Sequence, residues 1–287
     1  MRIRSPRQRR RLPEIGVVAG LALLALIVAP LVGPALPAQA APENAPEGFA
    51  VNCRFSHSDT VDPIVMPGHA GMSHLHEFFG NQSTDENSTG ASLLASTGTC
   101  ADGADLSAYW VPALLVNGVR VQPQLARVYY IGGGPMVTAF PAGFKAVSGY
   151  TDQTAAWGCV VPGEPPVLSS SVAVVPTCAG GAQLMTQITF PQCWDGRSLD
   201  SADHKSHLTF PAPAPGGRQL CPATHRVRVP QVRLIVIYPR SVAGGSSVTL
   251  ASGPPSSLHG DIFEAWTGST LQTRINEATP LGGRPQP

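Results

Sequence analysis

Beyond its N-terminal segment, the sequence lacks any run of basic residues. Residues 1–40 contain six of the 19 Lys and Arg and one of the 18 Asp and Glu, which leaves 13 − 17 = −4 for the rest of the chain. A mildly acidic chain without a basic patch disfavours nucleic acid and anionic lipid as partners. We therefore expect no nucleic-acid partner, and membrane contact only through the N-terminal segment if it is not cleaved.

Several other signatures are missing as well. No CxxC pair occurs, which argues against a zinc knuckle and against a thioredoxin-like redox site. The glycines at 132–134 lack the GxGxxG spacing and a following helical pattern, so they do not indicate a phosphate-binding loop. The sequence also shows no repeat of fixed period and no second domain boundary. One folded domain is therefore predicted.

The N-terminal segment is typical of a secretory signal peptide. Six arginines precede an uncharged apolar run over residues 15–36, and Ala38-Gln39-Ala40 offers a small-x-small cleavage site. The run is long enough to span a bilayer as an uncleaved anchor, but its prolines favour cleavage. We assign residues 1–40 to a signal peptide, 41–48 to a linker, 49–278 to the single domain and 279–287 to a disordered tail. The predicted location is secreted or cell-wall associated.

Six cysteines follow the signal segment, an even number that predicts disulfides in an exported chain. They allow 15 complete pairings. Pairing in order of sequence has the lowest contact order and is the arrangement we expect: Cys53 with Cys100, Cys159 with Cys178, and Cys193 with Cys221.

Short apolar segments separated by Gly, Pro and Ser clusters predict an all-β fold. The clearest local signal is Asn117-Gly118, a hairpin turn between residues 108–116 and 119–121. Further strands are predicted at 49–55, 127–131, 144–149, 172–175, 184–190, 207–210, 229–238 and 248–251. One amphipathic stripe predicts a helix over residues 261–277. The expected fold is a single, disulfide-stapled, β-sandwich-like domain with a short C-terminal helix.

Titratable residues are concentrated in residues 61–81. This stretch holds Asp62, His69, His74, His76 and Glu77, although the whole chain has only eight histidines. If residues 73–78 are extended, the two-residue period of a strand places His74 and His76 on one face. Two converging imidazoles suit a transition metal or an acid/base pair.

Two later clusters could join this stretch. Residues 193–207 hold three carboxylates and two imidazoles, among them Asp203, His204 and His207. Residues 258–261 place His259 two positions before Asp261, which could equally cap the predicted helix. We expect the three clusters to meet in one polar pocket, because buried polar groups are costly unless they satisfy one another.

Five segments carry a resemblance to a known family: DPIVMPGHAGMSHLHEFFGN, SAYWVPAL, FPQCWDG, DSADHKSHLTFP and LHGDIFEAW. They resemble an exported family of bacteria and filamentous fungi catalogued as domain of unknown function nineteen-ninety-six. The resemblance spans roughly residues 52–266. It implies one exported domain, in fungi often joined to carbohydrate-binding modules, and it implies no activity and no site residues.

Three functions are consistent with these clusters. The first is a hydrolase or lyase acting on an extracellular or cell-wall polysaccharide, with an imidazole as base and a carboxylate as acid or orienting partner. The catalytic candidates are His74, His76, Asp62, Asp203, His204 and His207, and the candidate sugar platforms are Trp110, Trp194 and Trp266.

The second function is a metal-dependent enzyme that holds one divalent transition ion, zinc or copper. Its candidate ligands are His74, His76, His207 and His259, with His204 as another source of the third imidazole. The third function is a non-catalytic carbohydrate-binding or cell-wall-associated module, in which the histidines are only hydrogen-bonded.

Overall fold

The computed structural model describes residues 46–281. The predicted signal peptide, most of the linker and the last six residues of the predicted tail lie outside the described residues. The strands are β1 Glu47–Asp59, β2 His76–Gly80, β3 Ala108–Pro112, β4 Leu114–Val116, β5 Val119–Val121, β6 Leu125–Ile131, β7 Lys145–Gly149, β8 Ala155–Val160, β9 Val167–Leu168, β10 Gln183–Thr189, β11 Cys193–Trp194, β12 Leu208–Thr209, β13 Ala212–Ala214, β14 Arg218–Leu220, β15 Val227–Arg228, β16 Gln231–Ile237, β17 Val248–Leu250, β18 His259–Phe263 and β19 Thr279–Pro280. The two α-helices are α1 Gly90–Leu94 and α2 Thr270–Asn276.

An 11-stranded sheet dominates the domain, in the order β7-β18-β3-β2-β1-β6-β16-β10-β8-β9, with β19 paired to β1. Every pair in it is antiparallel. The predicted all-β fold with a short C-terminal helix is confirmed. In the described part of the chain, no helix is long and apolar enough to cross a membrane.

The large sheet curls so that its two halves pack face to face. Gly260 of β18 lies so close to β10 and β16 that an added Cβ would be 3.3 Å from side-chain atoms of Ile188 and Leu234. The Ser148 hydroxyl of β7 donates to the backbone oxygen of Thr189 at 2.7 Å. The main hydrophobic core fills the space between the halves.

A second, smaller core lies on the outer face of β2, β3, β18 and β7. Strand alternation sends Phe78, Trp110 and Phe263 to this face, where they pack with Val61 and Ile64 of the segment after β1. That segment, residues 60–75, therefore covers the outer face. It is the same stretch that carries Asp62 and His74.

The disulfides pair as predicted. Cys53–Cys100, Cys159–Cys178 and Cys193–Cys221 are all formed, and no free cysteine is present among the described residues. Three disulfides are consistent with an oxidising, extracellular location. The hairpin at Asn117-Gly118 is also confirmed, because β4 pairs with β5 and both turn residues have positive φ, 51° and 78°.

Two predicted elements are wrong. The helix predicted over residues 261–277 begins only at Thr270, and Asp261 lies inside β18 instead of capping a helix. Because β18 is buried on both faces, its apolar residues resemble the apolar stripe of a helix. Gly268, with a φ of 56°, lies between β18 and α2. Residues 172–175 form no strand. The predicted tail begins with β19, which pairs with Glu47 and Gly48 at the start of β1.

Candidate functional site

Two of the three site histidines lie in one row across the outer face of the sheet. His76 of β2 is paired with Pro112 of β3, and His259 of β18 lies on the other side of that strand. Phe78 follows His76 by two residues, Asp261 follows His259 by two residues, and both are paired with Trp110. Because side chains two residues apart on a strand share a face, His76 and His259 project from the same face of the sheet. His74 joins them from the covering segment, two residues before His76.

The three imidazoles converge. The ring centroids of His74 and His76 are 4.2 Å apart, those of His74 and His259 5.1 Å, and those of His76 and His259 6.0 Å. One ligand nitrogen from each ring lies within 4.8 Å of the other two. Ligand atoms at such distances can bind one metal ion with a modest closing movement.

Hydrogen bonds fix which nitrogen faces the centre. Nδ1 of His76 lies 3.0 Å from the backbone oxygen of Val61, and Nδ1 of His259 lies 2.8 Å from that of Ser257. A carbonyl oxygen can only accept, so each Nδ1 carries the proton and each Nε2 keeps a free lone pair in the neutral ring. Metal-binding histidines are oriented in this way, with the second nitrogen donating to a carbonyl or carboxylate.

Two of the imidazole nitrogens have no hydrogen-bond partner among the described residues. Nε2 of His74 and Nε2 of His76 are buried without a hydrogen bond. Burial lowers the pKa of all three rings: that of His76 well below its usual value, where the neighbouring His74 and His259 add to the effect, and that of His259 to about 4. The rings are therefore neutral near pH 7, which is the form that binds a metal.

Two carboxylates face the same pocket, which has a volume of about 170 Å³ and is also lined by His74 and His259. The Oδ1 atom of Asp62 accepts hydrogen bonds from the backbone N–H groups of Ile64 and Val65, each at 2.9 Å. Asp261 is fully buried, and neither of its oxygens has a partner. Burial, with the neighbouring Asp62, raises the pKa of Asp261 well above its usual value.

The mouth of the pocket is aromatic and apolar. The ring of Tyr150 stacks on His259, with centroids 4.6 Å apart. The ammonium of the exposed Lys205 lies 4.5 Å from the Tyr150 centroid. Met66 and Met72 are exposed on the same rim. Tyr150 has a positive φ of 68°, a strained backbone for a bulky residue. The sequence analysis did not identify Tyr150, and no local pattern marks it.

The second cluster does not join the three imidazoles. Both ring nitrogens of His207 are bonded, Nε2 to the backbone oxygen of Lys145 at 2.7 Å and Nδ1 to the Ser201 hydroxyl at 2.8 Å. His207 is therefore not available as a ligand in this arrangement. Nδ1 of His204 lies 2.9 Å from Oδ1 of Asp200.

Asp203 is engaged within its own loop. Its Oδ1 atom accepts hydrogen bonds from the Ser201 hydroxyl and from the backbone N–H groups of Lys205 and Ser206. These bonds, together with one from the Ser206 side chain, hold its pKa below the usual range. Such a carboxylate is a poor general acid, because it stays ionised.

The candidate sugar platforms are mostly interior. Trp110 is fully buried against Phe78, with centroids 5.4 Å apart, and Trp266 is buried with its Nε1–H donating to the Tyr130 hydroxyl at 3.1 Å. Trp194 is partly buried and packs edge-on against Phe144. At the pocket, the partly exposed aromatic ring is that of Tyr150, and it lies between the His259 ring and the Lys205 ammonium.

A separate polar network lies inside the main core. The Tyr109 hydroxyl donates to Asp105 at 2.8 Å and lies 2.7 Å from the Tyr130 hydroxyl, which donates to Glu264 at 3.0 Å. Burial raises the pKa of Asp105 to about 7, where the neighbouring Asp102 adds to the effect, and that of Glu264 to about 8, where Asp105 adds to it. Cys53 and Cys100 are near Asp105, but their disulfide removes them as metal ligands.

A family model described as Domain of unknown function (DUF1996) matches residues 62–266, which is more than two thirds of the chain. No curated protein and no solved structure matches the chain. The matched range begins at Asp62 and includes His74, His76, His259 and Asp261, so the whole pocket cluster lies within it.

Proposed function

Since the chain belongs to the DUF1996 family, a domain of unknown function, we propose its function from the pocket itself. His74, His76 and His259 bind one divalent transition ion, zinc or copper. The ion-bound domain acts as a hydrolase or lyase on an extracellular or cell-wall polysaccharide. The protein is secreted or associated with the cell wall.

The observation that carries this proposal is the set of imidazole nitrogens that meet without hydrogen-bond partners. A buried polar atom without a partner costs on the order of 1–3 kcal/mol. Nε2 of His74 and Nε2 of His76 both have this cost, in a cluster that they form with His259. A bound cation removes the cost at both atoms, whereas hydrogen bonding within a polar core does not.

Three imidazoles leave a coordination position free, as in catalytic zinc sites. An ion held in this way lowers the pKa of a bound water to about 7 and polarises a substrate oxygen. The pocket opens to the surface beside Tyr150, and a sugar can pack against the outer face of this ring when the flexible Lys205 side chain moves away from it. The resemblance noted in the sequence, to a family that in fungi is often joined to carbohydrate-binding modules, favours a polysaccharide as the substrate.

A metal-free imidazole and carboxylate pair has less support. Within residues 46–281, no hydrogen bond joins His74, His76 or His259 to Asp62 or Asp261. A general base is normally oriented by such a bond. The non-catalytic carbohydrate-binding or cell-wall module is the other alternative, and the assay below separates it from the enzyme.

The test begins with metal analysis of mature protein purified without a histidine tag, followed by calorimetric titration with Zn²⁺ and Cu²⁺. We expect one ion per chain. His259→Ala should weaken binding by more than about 100-fold, because even indirect partners of a metal ligand contribute about 10- to 100-fold. His225→Ala is the matched control, since both nitrogens of His225 bond outside the pocket, and it should bind as the wild type does.

The second step measures products from cell-wall polysaccharides with and without a chelator. New reducing ends indicate hydrolysis, and unsaturated sugars indicate elimination. Absence of stoichiometric metal would refute the ion site. Metal binding without any product, together with retention on the polysaccharide, would leave the binding module as the function.

A further inference from the structure

We infer that Asp261 is the anionic partner of the bound ion, and that it accepts a hydrogen bond from a water molecule on the open side of that ion. This inference rests on the ion site proposed above. It adds a residue that is not one of the three imidazole ligands and that would act directly on the water used for catalysis.

Asp261 faces the site because of its place in β18. It follows His259 by two residues, so both side chains project from the same face of the strand. Both residues line the same pocket. Asp261 is fully buried, and both of its oxygens lack a hydrogen-bond partner. Its neighbours in register, Trp110 and Val147, offer no hydrogen bond to it.

Nothing within the described chain compensates this carboxylate. No ion pair among residues 46–281 involves Asp261. Asp62, in the same pocket, is a second acid and repels it. Lys205 favours the ionised form of Asp261, but its ammonium lies over the Tyr150 ring and forms no ion pair with Asp261. A buried carboxylate without a partner is unfavourable, so a cation in the pocket is the compensation that this arrangement lacks.

The distances separate Asp261 from the ligands themselves. The atoms that lie within 4.8 Å of one another come from the three histidines, and no oxygen of Asp261 belongs to that group. Each oxygen of Asp261 is therefore more than 4.8 Å from at least one of the three ligand nitrogens. A water bound to the open position can bridge such a gap, since bridging waters are nearly as favourable as direct hydrogen bonds.

This placement has a chemical consequence. A divalent ion held by the three imidazoles would make a bound water more acidic and would polarise a substrate oxygen. Asp261 would accept the proton that this water gives up and would return it to the leaving group, so no further reactant is needed.

The experiment compares Asp261→Asn with Asp62→Asn, its matched control. Asp62 lines the same pocket, but its Oδ1 atom is already satisfied by two backbone N–H groups, bonds that an Asn oxygen can keep. In Zn²⁺ titrations we expect Asp261→Asn to bind about 10- to 100-fold more weakly than the wild type, as for other groups that act on a ligand indirectly. Asp62→Asn also removes a negative charge from the pocket, but we expect it to weaken Zn²⁺ binding clearly less than Asp261→Asn does, because its Oδ1 keeps both backbone bonds.

A second measurement uses Co²⁺ in place of Zn²⁺. The visible absorption of Co²⁺ reports its direct ligands, so both variants should keep the band positions of the wild type. A spectrum in Asp261→Asn that indicates loss of a direct ligand would overturn the bridging water. The thermal midpoint without metal checks folding, and Asp261→Ser replaces Asp261→Asn if the latter does not fold.

The outcomes separate the two proposals. If the wild type binds neither Zn²⁺ nor Co²⁺, the ion site fails, and this inference fails with it. If the wild type binds and Asp261→Asn binds equally well, only the role of Asp261 is overturned. Equal weakening by Asp62→Asn and Asp261→Asn would also overturn it, because a general effect of negative charge would then explain both.

Discussion

His76 and His259 lie on two strands that are not neighbours, and their rings meet across Pro112 with centroids 6.0 Å apart. The middle strand, β3, is paired on both sides along this row. The separation of the two histidines is thus set by a rigid, buried part of the sheet. Only His74, which comes from the covering segment, can adjust its position without a change in the sheet.

Gly149 is predicted to hold His259 in place. It is paired with His259 in register, has a φ of 122°, and lies so close that an added Cβ would be 2.4 Å from the His259 Cα and 2.6 Å from the Leu258 oxygen. Gly149→Ala should therefore move His259. We expect Zn²⁺ binding to weaken by about 10-fold or more, because changes to residues that only orient a metal ligand already have effects of that size. Calorimetric titration measures this directly.

Gly253→Ala is the control for that substitution. Gly253 has a similar φ of 131°, but the nearest atom to its added Cβ is 3.7 Å away. Both variants bear the backbone strain of a positive φ, on the order of 1 kcal/mol, and only Gly149→Ala displaces a ligand. Equal Zn²⁺ affinity in the two variants would contradict the role of Gly149.

The buried network of Glu264 and Asp105 should make the protein less stable as the pH rises. The pKa of Glu264 is raised from 4.5 to about 8 by burial, so the folded protein keeps a proton that the unfolded chain releases in this range. The free energy of unfolding should therefore fall between pH 4.5 and 8, by on the order of 5 kcal/mol. Glu264→Gln imitates the protonated acid and should show a flatter profile in urea unfolding.

The difference between the wild type and Glu264→Gln isolates this group, because the histidines contribute equally to both. Glu164→Gln changes an exposed acid and serves as the control. The same pH slope in all three proteins would show that Glu264 is ionised throughout the range.

Glu77 and Arg120 form an ion pair whose loss should be costly. Glu77 is fully buried, and Arg120 binds both of its oxygens, at 2.6 and 2.7 Å. Arg120→Ala leaves a buried carboxylate without its cation, which should reduce the free energy of unfolding by about 3 kcal/mol. Adding Glu77→Gln should recover part of this loss. If the double variant is no more stable than Arg120→Ala, the buried charge is not the cause.

The three disulfides should differ in their contribution to stability. Cys53 and Cys100 are 47 residues apart, and Cys159 and Cys178 are 19 apart. On the chain-entropy model, replacing the first pair by alanines should cost about 4 kcal/mol and replacing the second about 3 kcal/mol. Urea unfolding of the two double variants measures the order. Native protein should also show no reactive thiol, and a stoichiometric thiol titre would contradict the pairing.

Local signals in the sequence predicted much of the fold. Asn117-Gly118 specifies its hairpin because few other residue pairs adopt two positive φ values. The helix prediction failed where β18 is covered on both faces, since an apolar run without alternation fits either element. The density of histidines around His74 drew attention to the correct stretch of chain. The disulfide pairing followed from contact order alone.

The rest of the site depends on contacts between distant parts of the chain. His207 appeared as suitable a ligand as His259 in the sequence, and the difference lies in the Lys145 oxygen that bonds its Nε2. Tyr150 and Gly149 sit beside His259 only because β7 pairs with β18. No periodicity or spacing within either strand records that pairing.

The length of β1 separates the pocket from both ends of the described chain. Its last residue, Asp59, is paired with His76, whereas its first residue, Glu47, is paired with Pro280 of β19. Leu281 also donates its N–H to the oxygen of Pro46 at 2.9 Å, so the two ends emerge side by side. At about 3.3 Å per residue, β1 carries them roughly 40 Å from the histidines. A tether or an additional module joined at either end would attach to the domain far from the pocket. The mouth of the pocket would then remain free to contact a surface.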